Sequence, residues 1–395
     1  MKNSGIEWVG DIPAEWETHP IYYYFGERKH KNSLGKEGNL LSLSYGKVIR
    51  KDITSSDGLL PENYNGYNIV EKNDVVLRLT DLQNDKRSLR TGLVKERGIL
   101  TSAYVTLRPI KEEFSPFFHY VLHAYDVMKV FYNMGNGVRQ GLNFDELSKC
   151  MLIAPPLFVQ RAIAEFLDKK CGEVDALIAD IQQEIETLEQ YKRSVITESV
   201  TKGLDPSVPM KDSGIQWIGN MPANWECIRG KYILKYLQKP VKKDDGVITC
   251  FRDGEVTLRS NRREDGFTMA DKEIGYQGVD IGDLVVHGMD GFAGAIGISD
   301  SRGKASPVLN VLGTKQNKRY IMYYLRSMAY SDVFMALSTG IRVRSCDLRW
   351  NKLAELWYPI PPLKEQEEIV TYIDETIQKT NKIIFDKQTQ IETLE

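Results

Sequence analysis

Apolar residues recur every seven positions along one long segment of the chain, residues 155–203. One register comprises Leu167, Val174, Ile181, Leu188 and Val195, and the other comprises Ala164, Cys171, Ile178 and Ile185. Two interleaved heptad registers place an apolar seam on one helix face, which predicts a coiled-coil helix. The second register fails at Lys192. From Val159 to Lys202 this helix would be about 65 Å long at ~1.5 Å per residue, so we expect it to separate two bodies.

The segment has a copy near the end of the chain. Pro361–Glu395 aligns with Pro155–Glu189 without a gap at an offset of 206, and 14 of 35 positions are identical. A short box also repeats, because Lys2–Glu17 matches Lys211–Glu226 at 10 of 16 positions. The chain is therefore an internal duplication in which a box, a body and a long helix occur twice.

Each box is rich in turn residues and carries tryptophans, Trp8 and Trp16 in the first copy. We interpret the boxes as capping segments that pack a body onto a helix end. The two helices must be antiparallel, since the second body joins the end of the first helix to the start of the second.

Short apolar runs separated by turns fill the first body. They predict strands at Asn39–Val48, Asp74–Leu79, Tyr104–Leu107 and Met151–Ala154. An aromatic-rich helix is expected at Phe117–Tyr132. The first body is therefore expected to be a mixed α/β domain.

The second body follows the same plan. Residues 282–286 correspond to 73–77, a helix at Arg319–Met335 corresponds to the first body's helix, and residues 340–342 correspond to 137–139. Between these anchors the loops differ, with residues 79–92 in the place of residues 288–299. A repeated scaffold with unlike loops predicts two different binding surfaces.

Charge is distributed unevenly although the net charge of the chain is only −2. The two helical segments carry −3 and −4, which leaves +5 on the rest of the chain. This weakly favours nucleic acid as a partner of the bodies and not of the helices. Five widely spaced cysteines without a CxxC pair indicate a reducing compartment, and no run of 18 apolar residues or signal peptide is present. We therefore expect a soluble cytoplasmic protein with no membrane partner.

Motifs for catalysis or cofactor binding are absent from the sequence. There is no GxxxxGK[ST] phosphate loop, and the proline pairs lack the flanking Asn/Asp and aromatic residue that amino-methyltransferases use. Gly291, Gly294 and Gly297 have the wrong spacing for a dinucleotide fingerprint, so we interpret them as a tight loop. His119 and His123 have the spacing of a helical metal pair but lack a third ligand, so we expect no metal site.

The bodies instead carry arginine and lysine interleaved with polar side chains. Arginine can pair with guanine and Asn or Gln with adenine, whereas lysine mainly neutralises phosphate. The candidate DNA-binding residues of the first body are Arg78, Gln83, Asn84, Lys86, Arg87, Arg90, Arg139 and Gln140. Those of the second body are Arg252, Arg259, Asn261, Arg262, Arg263, His287, Arg342 and Arg344. Because the two sets differ, we expect substitutions to affect one half-site of a bipartite DNA target each.

The whole chain resembles the specificity subunit of a type I restriction–modification system. The resemblance rests on Pro155–Leu157 with Gln160, on Pro361–Leu363 with Gln366, and on the two SGIxWxGxxPxxW boxes. It implies two target-recognition domains separated by two long antiparallel coiled-coil helices, with pseudo-twofold symmetry. It also implies a non-catalytic subunit without cofactors of its own, whose partners are double-stranded DNA, methyltransferase subunits (two are expected) and, through them, restriction subunits. S-adenosylmethionine and ATP belong to those partners.

We accordingly divide the chain into four parts: a first target-recognition domain at 1–154, a central helix at 155–203, a second target-recognition domain at 204–360 and a C-terminal helix at 361–395. The last helix has no counterpart of Tyr191–Gly203, so closure against the first body is expected to be loose. A non-catalytic coiled-coil scaffold that binds proteins is the alternative. A self-contained methyltransferase fusion is nearly excluded by the missing motifs.

Overall fold

The computed structural model describes residues 1–51, 63–82, 89–134, 141–262, 273–337 and 348–394. Its chain contacts divide it into two compact units, Met1–Asp175 and Ala176–Glu395. The division falls inside the central helix because the two ends of this helix belong to different cores. Ala164 lies in the core of the first unit, whereas Ile196 and Val200 lie in that of the second.

The first body is built from short strands and two helices. The strands are β1 (Lys2–Asn3), β2 (Asp11–Ile12), β3 (Glu17–Pro20), β4 (Phe25–Glu27), β5 (Leu41–Ser44), β6 (Lys47–Arg50), β7 (Asn68–Val70), β8 (Val75–Leu77), β9 (Thr91–Leu93), β10 (Gly98–Leu100), β11 (Val105–Pro109) and β12 (Met151–Ala154). The helices are α1 (Ser115–Val127) and α2 (Phe144–Leu147), with 3-10 turns at Ile21–Tyr23, Glu112–Phe114 and Val130–Asn133. The long helix α3 (Leu157–Lys202) follows.

The second body repeats this series. Its strands are β13 (Met210–Asp212), β14 (Asn220–Pro222), β15 (Glu226–Arg229), β16 (Leu234–Tyr236), β17 (Ile248–Cys250), β18 (Val256–Leu258), β19 (Gln277–Val279), β20 (Leu284–His287), β21 (Ile296–Ile298), β22 (Gly303–Ala305), β23 (Leu309–Thr314) and β24 (Trp357–Ile360). The helices are α4 (Gly230–Ile233), α5 (Lys318–Tyr330), α6 (Val333–Ala336), α7 (Trp350–Glu355) and the long α8 (Leu363–Leu394), with 3-10 turns at Arg259–Asn261 and Gly291–Ala293.

Sheet topology is the same in both bodies. A four-stranded antiparallel sheet has the order β4-β11-β8-β9 in the first body and β16-β23-β20-β21 in the second. Four two-stranded ladders also recur, among them β3-β12 and β15-β24, which lead into the long helices. The expectation of a duplicated mixed α/β body is confirmed.

The turn before the central strand shows how closely the copies agree. Asp74 and Asp283 are buried, and each carboxylate accepts the backbone N–H three residues earlier at 2.8 Å. The residue before each aspartate has positive φ, 71° at Asn73 and 81° at Gly282, which suits asparagine and glycine. The aligned segments 73–77 and 282–286 are thus one structural motif.

The heptad seam predicted for α3 is present except at Cys171, which is exposed. The side chains of Ile178, Ile181, Ile185 and Leu188, at alternating spacings of three and four, are buried or half-buried. Two cross-helix bonds show that α3 and α8 run antiparallel within the second unit. Lys192 Nζ donates to Asn381 Oδ1 at 2.7 Å, and Lys387 Nζ binds the Glu184 carboxylate.

Lys192 therefore stays in the seam although the apolar register fails there. Its side chain is only 17% exposed. A polar residue at a seam position costs stability but favours one register of the helices. The bond to Asn381 forms only in this register, whereas Glu189 on the same helix also accepts from Lys192, at 2.9 Å. Lys387, half-buried on the opposite helix, is placed to do the same.

Three predicted elements are interrupted. The strand expected at Asn39–Val48 is the β5–β6 hairpin, because Tyr45 and Gly46 both have positive φ and form a tight turn. The helix expected at Phe117–Tyr132 breaks at Lys129, and the one expected at Arg319–Met335 breaks at Asp332; both residues have positive φ.

The second box caps the end of α3, as predicted. Trp225 is fully buried, and its indole N–H donates to Glu365 Oε1 at 2.9 Å at the start of α8. Gly203 has a φ of +74°, and a Cβ there would meet the Trp225 ring at 3.3 Å. Glycine is required on both counts.

A duplicated hydrogen bond joins each body to its long helix. Tyr120 Oη donates to Asp168 Oδ1 at 2.7 Å, and Tyr323 Oη donates to Asp374 Oδ1 at 2.5 Å. The two aspartates are identical positions in the helix repeat. Burial and the hydrogen bond to Asp374 raise the pKa of Tyr323 to about 12.

We expect replacement of Tyr323 by phenylalanine to lower the stability of the second unit by roughly 2 kcal/mol at neutral pH, since the bond reaches a charged acceptor. The folded pKa lies above that of an unfolded tyrosine. The stabilisation is therefore complete below pH 10 and declines as the pH rises towards 12. The difference between the wild-type protein and Tyr323→Phe in thermal unfolding should shrink across this window. Tyr372→Phe, at an exposed position on α8, is the control.

Candidate nucleic-acid interface

Only part of the predicted interface falls on residues that the structure describes. Arg78 and Arg90 are described in the first body, as are Arg252, Arg259, Asn261, Arg262 and His287 in the second. The others lie outside the described residues: Gln83, Asn84, Lys86, Arg87, Arg139, Gln140, Arg263, Arg342 and Arg344. For these, DNA contact stays a prediction, as does the equivalence of 137–139 with 340–342.

Arg90 is fully buried just before β9. Its guanidinium donates to the carbonyl oxygens of Arg78 and Thr80 at 3.0 and 2.9 Å, and its Nε donates to Tyr132 Oη at 3.0 Å. The Tyr132 ring also lies under the guanidinium, 5.2 Å from the ring centroid. The prediction that Arg90 contacts DNA is therefore wrong, because its donors are directed at the protein. Arg90 instead holds the backbone that leads out of β8.

Buried Asp126 fixes the same region from α1. Its carboxylate accepts the backbone N–H of Arg90, and burial raises its pKa. Arg90 and Asp126 together thus hold residues 78–80 beside residue 90.

In the second body, two arginines flank a tight turn between β17 and β18. Arg252 is 68% exposed and its Nη2 lies 2.9 Å from Asp290 Oδ1. Arg262 lies over the Phe251 ring at 4.2 Å from its centroid and pairs with Asp253 at 2.8 Å. Exposed ion pairs of this kind are weak, so either arginine could exchange its carboxylate for a nucleic acid.

Two other side chains predicted to contact DNA form hydrogen bonds within the protein. Asn261 Nδ2 donates to Thr257 Oγ1 at 2.8 Å, and Arg259 Nε lies 3.5 Å from Thr249 Oγ1. Both side chains nevertheless lie in the 3-10 turn after β18, next to Arg262.

The glycine run after β20 forms a tight loop, as expected. A Cβ at Gly297 would lie 1.9 Å from the carbonyl oxygen of Gly254, and one at Gly294 would lie 2.7 Å from that of Arg252. The glycines thus allow the loop to approach the β17–β18 turn closely. His287 closes the loop, because its Nδ1 accepts the backbone N–H groups of Met289 and Asp290 at 3.2 and 2.9 Å. Burial lowers the pKa of His287.

The histidine pair on α1 has a structural environment. Burial lowers the pKa of His119 to about 4, with His123 contributing. His123 Nδ1 lies 3.1 Å from Thr91 Oγ1, on the strand that follows Arg90. Within the described ranges there is no group of three or more His, Cys, Asp or Glu residues placed to hold a metal ion. None of the described helices is long and apolar enough to cross a membrane.

The acidic partners of the arginines and a basic groove on the first body were not predicted from the sequence. Asp253 and Asp290 come from separate turns, so only the fold shows that they meet Arg262 and Arg252. The groove includes residues 28–31, whose sequence Arg-Lys-His-Lys could have been noticed.

Comparison with known proteins agrees with this architecture. Residues 26–187 match the family described as the type I restriction modification DNA specificity domain. The chain is 30% identical over 235 residues to the putative type I restriction enzyme MjaX specificity subunit of Methanocaldococcus jannaschii, covering 56% of this chain. The match spans about half of that relative, 53% of its length.

A solved structure shows the same fold over almost the whole chain. A chain from a study of complex assembly and conformational transition of the type I R-M system has a TM-score of 0.63 at 14% identity, covering 97% of this chain and 95% of that one. The HsdS subunit from Thermoanaerobacter tengcongensis has a TM-score of 0.46 at 13% identity, covering 98% and 97%.

Residues 26–187 thus match a DNA specificity domain of the type I restriction–modification class. This match and the shared fold agree with the resemblance drawn from the repeated boxes and helices.

Proposed function

We propose that the chain reads a bipartite, asymmetric duplex DNA target for a type I restriction–modification complex in the cytoplasm. Each body reads one half-site through the loops at the end of its four-stranded sheet. The chain itself performs no catalysis, and S-adenosylmethionine and ATP are used by its partner subunits. The observation that carries this proposal is the DNA specificity domain at residues 26–187, together with a second body of the same topology.

Unlike loops on like scaffolds support an asymmetric target. The sheets, the Asp74 and Asp283 turns and the tyrosine–aspartate bonds recur in both bodies. The loops after β8 and β20 share neither their sequence nor their fixing residue, which is Arg90 in one and His287 in the other. Two surfaces built so differently are suited to different base sequences.

A binding selection tests the proposal. The full chain, alone and co-expressed with methyltransferase subunits, is incubated with a pool of random duplexes, and bound DNA is sequenced. We expect two short, different motifs at a fixed spacing. No enrichment in either preparation would contradict the proposal. It would favour the alternative of a protein-binding scaffold, which has no support from the match to the DNA specificity domain.

We also propose that two methyltransferase subunits dock on the long helices, one on each. Exposed apolar residues recur at equivalent positions of the repeat: Phe166 and Leu177 on α3, and Tyr372 and Ile383 on α8, all 42–60% exposed. Residues eleven apart lie three turns along the same helix face. An exposed apolar pair on each helix, repeated at the same offset of 206, suits two copies of one partner.

Replacing Phe166 or Tyr372 by serine is expected to reduce the bound methyltransferase from two subunits to one, because each change removes one apolar anchor. Native mass spectrometry of the co-expressed complex would count the subunits. Phe158→Ser is the matched control: Phe158 is 75% exposed, but its repeat counterpart is Lys364. Two bound subunits in all three variants would contradict this docking site.

A further inference from the structure

A basic groove runs along the edge of the first body. Its volume is about 810 Å³, and it is lined mainly by residues 27–37, which follow the edge strand β4. We call residues 28–36 the first edge loop. Besides this loop, Arg97 and Arg108 contribute side chains to the groove. Six of its lining residues are Lys or Arg and two are Glu, whereas the chain as a whole is slightly acidic.

Some of these cations are bound to carboxylates of the body. Arg28 Nε lies 2.5 Å from buried Asp74, and Arg97 pairs with Glu37 at 3.0 Å and also with Glu71. These arginines hold the walls of the groove. A buried aspartate such as Asp74 needs its cation in place, so Arg28 is not available to a ligand.

Other cations in the groove have no carboxylate partner. Lys36 and Arg108 are exposed and have neither an ion pair nor a side-chain hydrogen bond among the residues that the structure describes. Lys31 Nζ donates only to the carbonyl oxygen of Gly66, at 2.9 Å, so its charge is not neutralised. Three uncompensated positive charges therefore face one concave surface, which attracts anions.

The second body has a corresponding loop. Residues 239–243, the second edge loop, follow β16, which is the equivalent edge strand. Lys239 pairs with Asp283 at 2.5 Å, just as Arg28 pairs with Asp74. Lys242 and Lys243 are exposed, and their ammonium groups form no ion pair in the described part of the chain, although the backbone N–H of Lys242 donates to Asp245 at 2.8 Å.

Strand directions relate each edge loop to a reading loop of the same body. In the first body β4 and β8 are both antiparallel to β11, so they run parallel to each other. The chain therefore leaves both strands at the same end of the sheet. The same holds for β16 and β20, which are both antiparallel to β23. Each edge loop thus begins at the same end of the sheet as the loop that follows β8 or β20 in its body.

We propose that the two edge loops bind the phosphate backbone of the DNA target without regard to sequence. This inference rests on the proposed function. Loops that read bases must differ between the bodies because the half-sites differ, but phosphate groups are the same in both. The edge loops fit that requirement, since both copies keep a cation locked to the buried aspartate and leave further lysines free.

Salt dependence of binding tests this role. Replacing two uncompensated lysines of the first edge loop, as in Lys31→Gln with Lys36→Gln, should lower the slope of log affinity against log salt by ~1.8, at ~0.9 for each phosphate contact. The affinity should fall by the same factor for every duplex, and the selected motifs should not change. Lys242→Gln with Lys243→Gln should lower the slope by a similar amount. The full chain with its methyltransferase subunits is titrated with target and unrelated duplexes.

Lys149→Gln with Lys169→Gln is the matched control, because both lysines are exposed but lie outside the edge loops. It should leave the slope unchanged, and thermal unfolding of all three variants should match that of the parent. An unchanged slope in the edge-loop variants, or a loss confined to one sequence, would overturn the inference. Failure of the unaltered protein to bind duplex DNA would instead overturn the proposed function.

Discussion

Replacing Arg90 by alanine should destabilise the first unit by roughly 3 kcal/mol. The change leaves the carbonyl oxygens of Arg78 and Thr80 without their donor and opens a cavity beside Tyr132. We expect amide hydrogen exchange in β8 and β9 to accelerate roughly 100-fold, since each 1.4 kcal/mol is a factor of ten. Exchange in β20 and β21 should not change, because they belong to the other unit.

Arg90→Lys should restore little of the lost stability, since one ammonium group cannot reach the separate acceptors that the guanidinium serves. Arg50→Ala provides the control: Arg50 is 72% exposed and pairs only with Glu96 at the surface, so its loss should cost well under 1 kcal/mol. Normal exchange in β8 and β9 of Arg90→Ala would show that the buried network contributes nothing.

Arg90 also shows what sequence alone could not give. In the sequence it is one of several basic residues between two predicted strands, and nothing separates it from Arg87. Its burial depends on Tyr132 and Asp126, which are about forty positions away and reach it only through the fold. The roles of individual loop residues therefore could not be predicted.

The long-range architecture was easier to predict than the roles of loop residues, because each element occurs twice in the sequence. The heptads and the offset of 206 predict both long helices to within two residues at each end. Interruptions of the two body helices were missed where one residue adopts positive φ, at Lys129 and Asp332. Neither is a glycine, so the usual signal for such a break was missing at those positions.

The division of the chain into four parts is a prediction that the units neither confirm nor contradict. The structure divides at Asp175 because each end of α3 packs on a different body, whereas the sequence separates helices from bodies by their periodicity. The two divisions therefore assign the same helix by different criteria, packing in one case and sequence periodicity in the other.

Substitutions in the base-reading loops should affect one half-site each. Arg87→Ala should weaken reading of one half-site and Arg252→Ala reading of the other, by ~1–3 kcal/mol for a direct base contact. Arg87 lies outside the described residues, and its role rests on the sequence. Arg252 is well exposed and bound only by a surface ion pair to Asp290. Arg50→Ala and Arg229→Ala, at arginines outside these loops that pair with Glu96 and Glu355, should change neither half-site.

Methylome sequencing of cells that carry these variants with the methyltransferase and restriction subunits tests whether each body reads its own half-site. We expect Arg87→Ala to relax the methylated sequence at one half-site only, and Arg252→Ala to relax it at the other only, with the spacing unchanged. Relaxation of the same half-site by both variants, or an unchanged methylated sequence in both, would contradict the claim that each body reads its own half of the target.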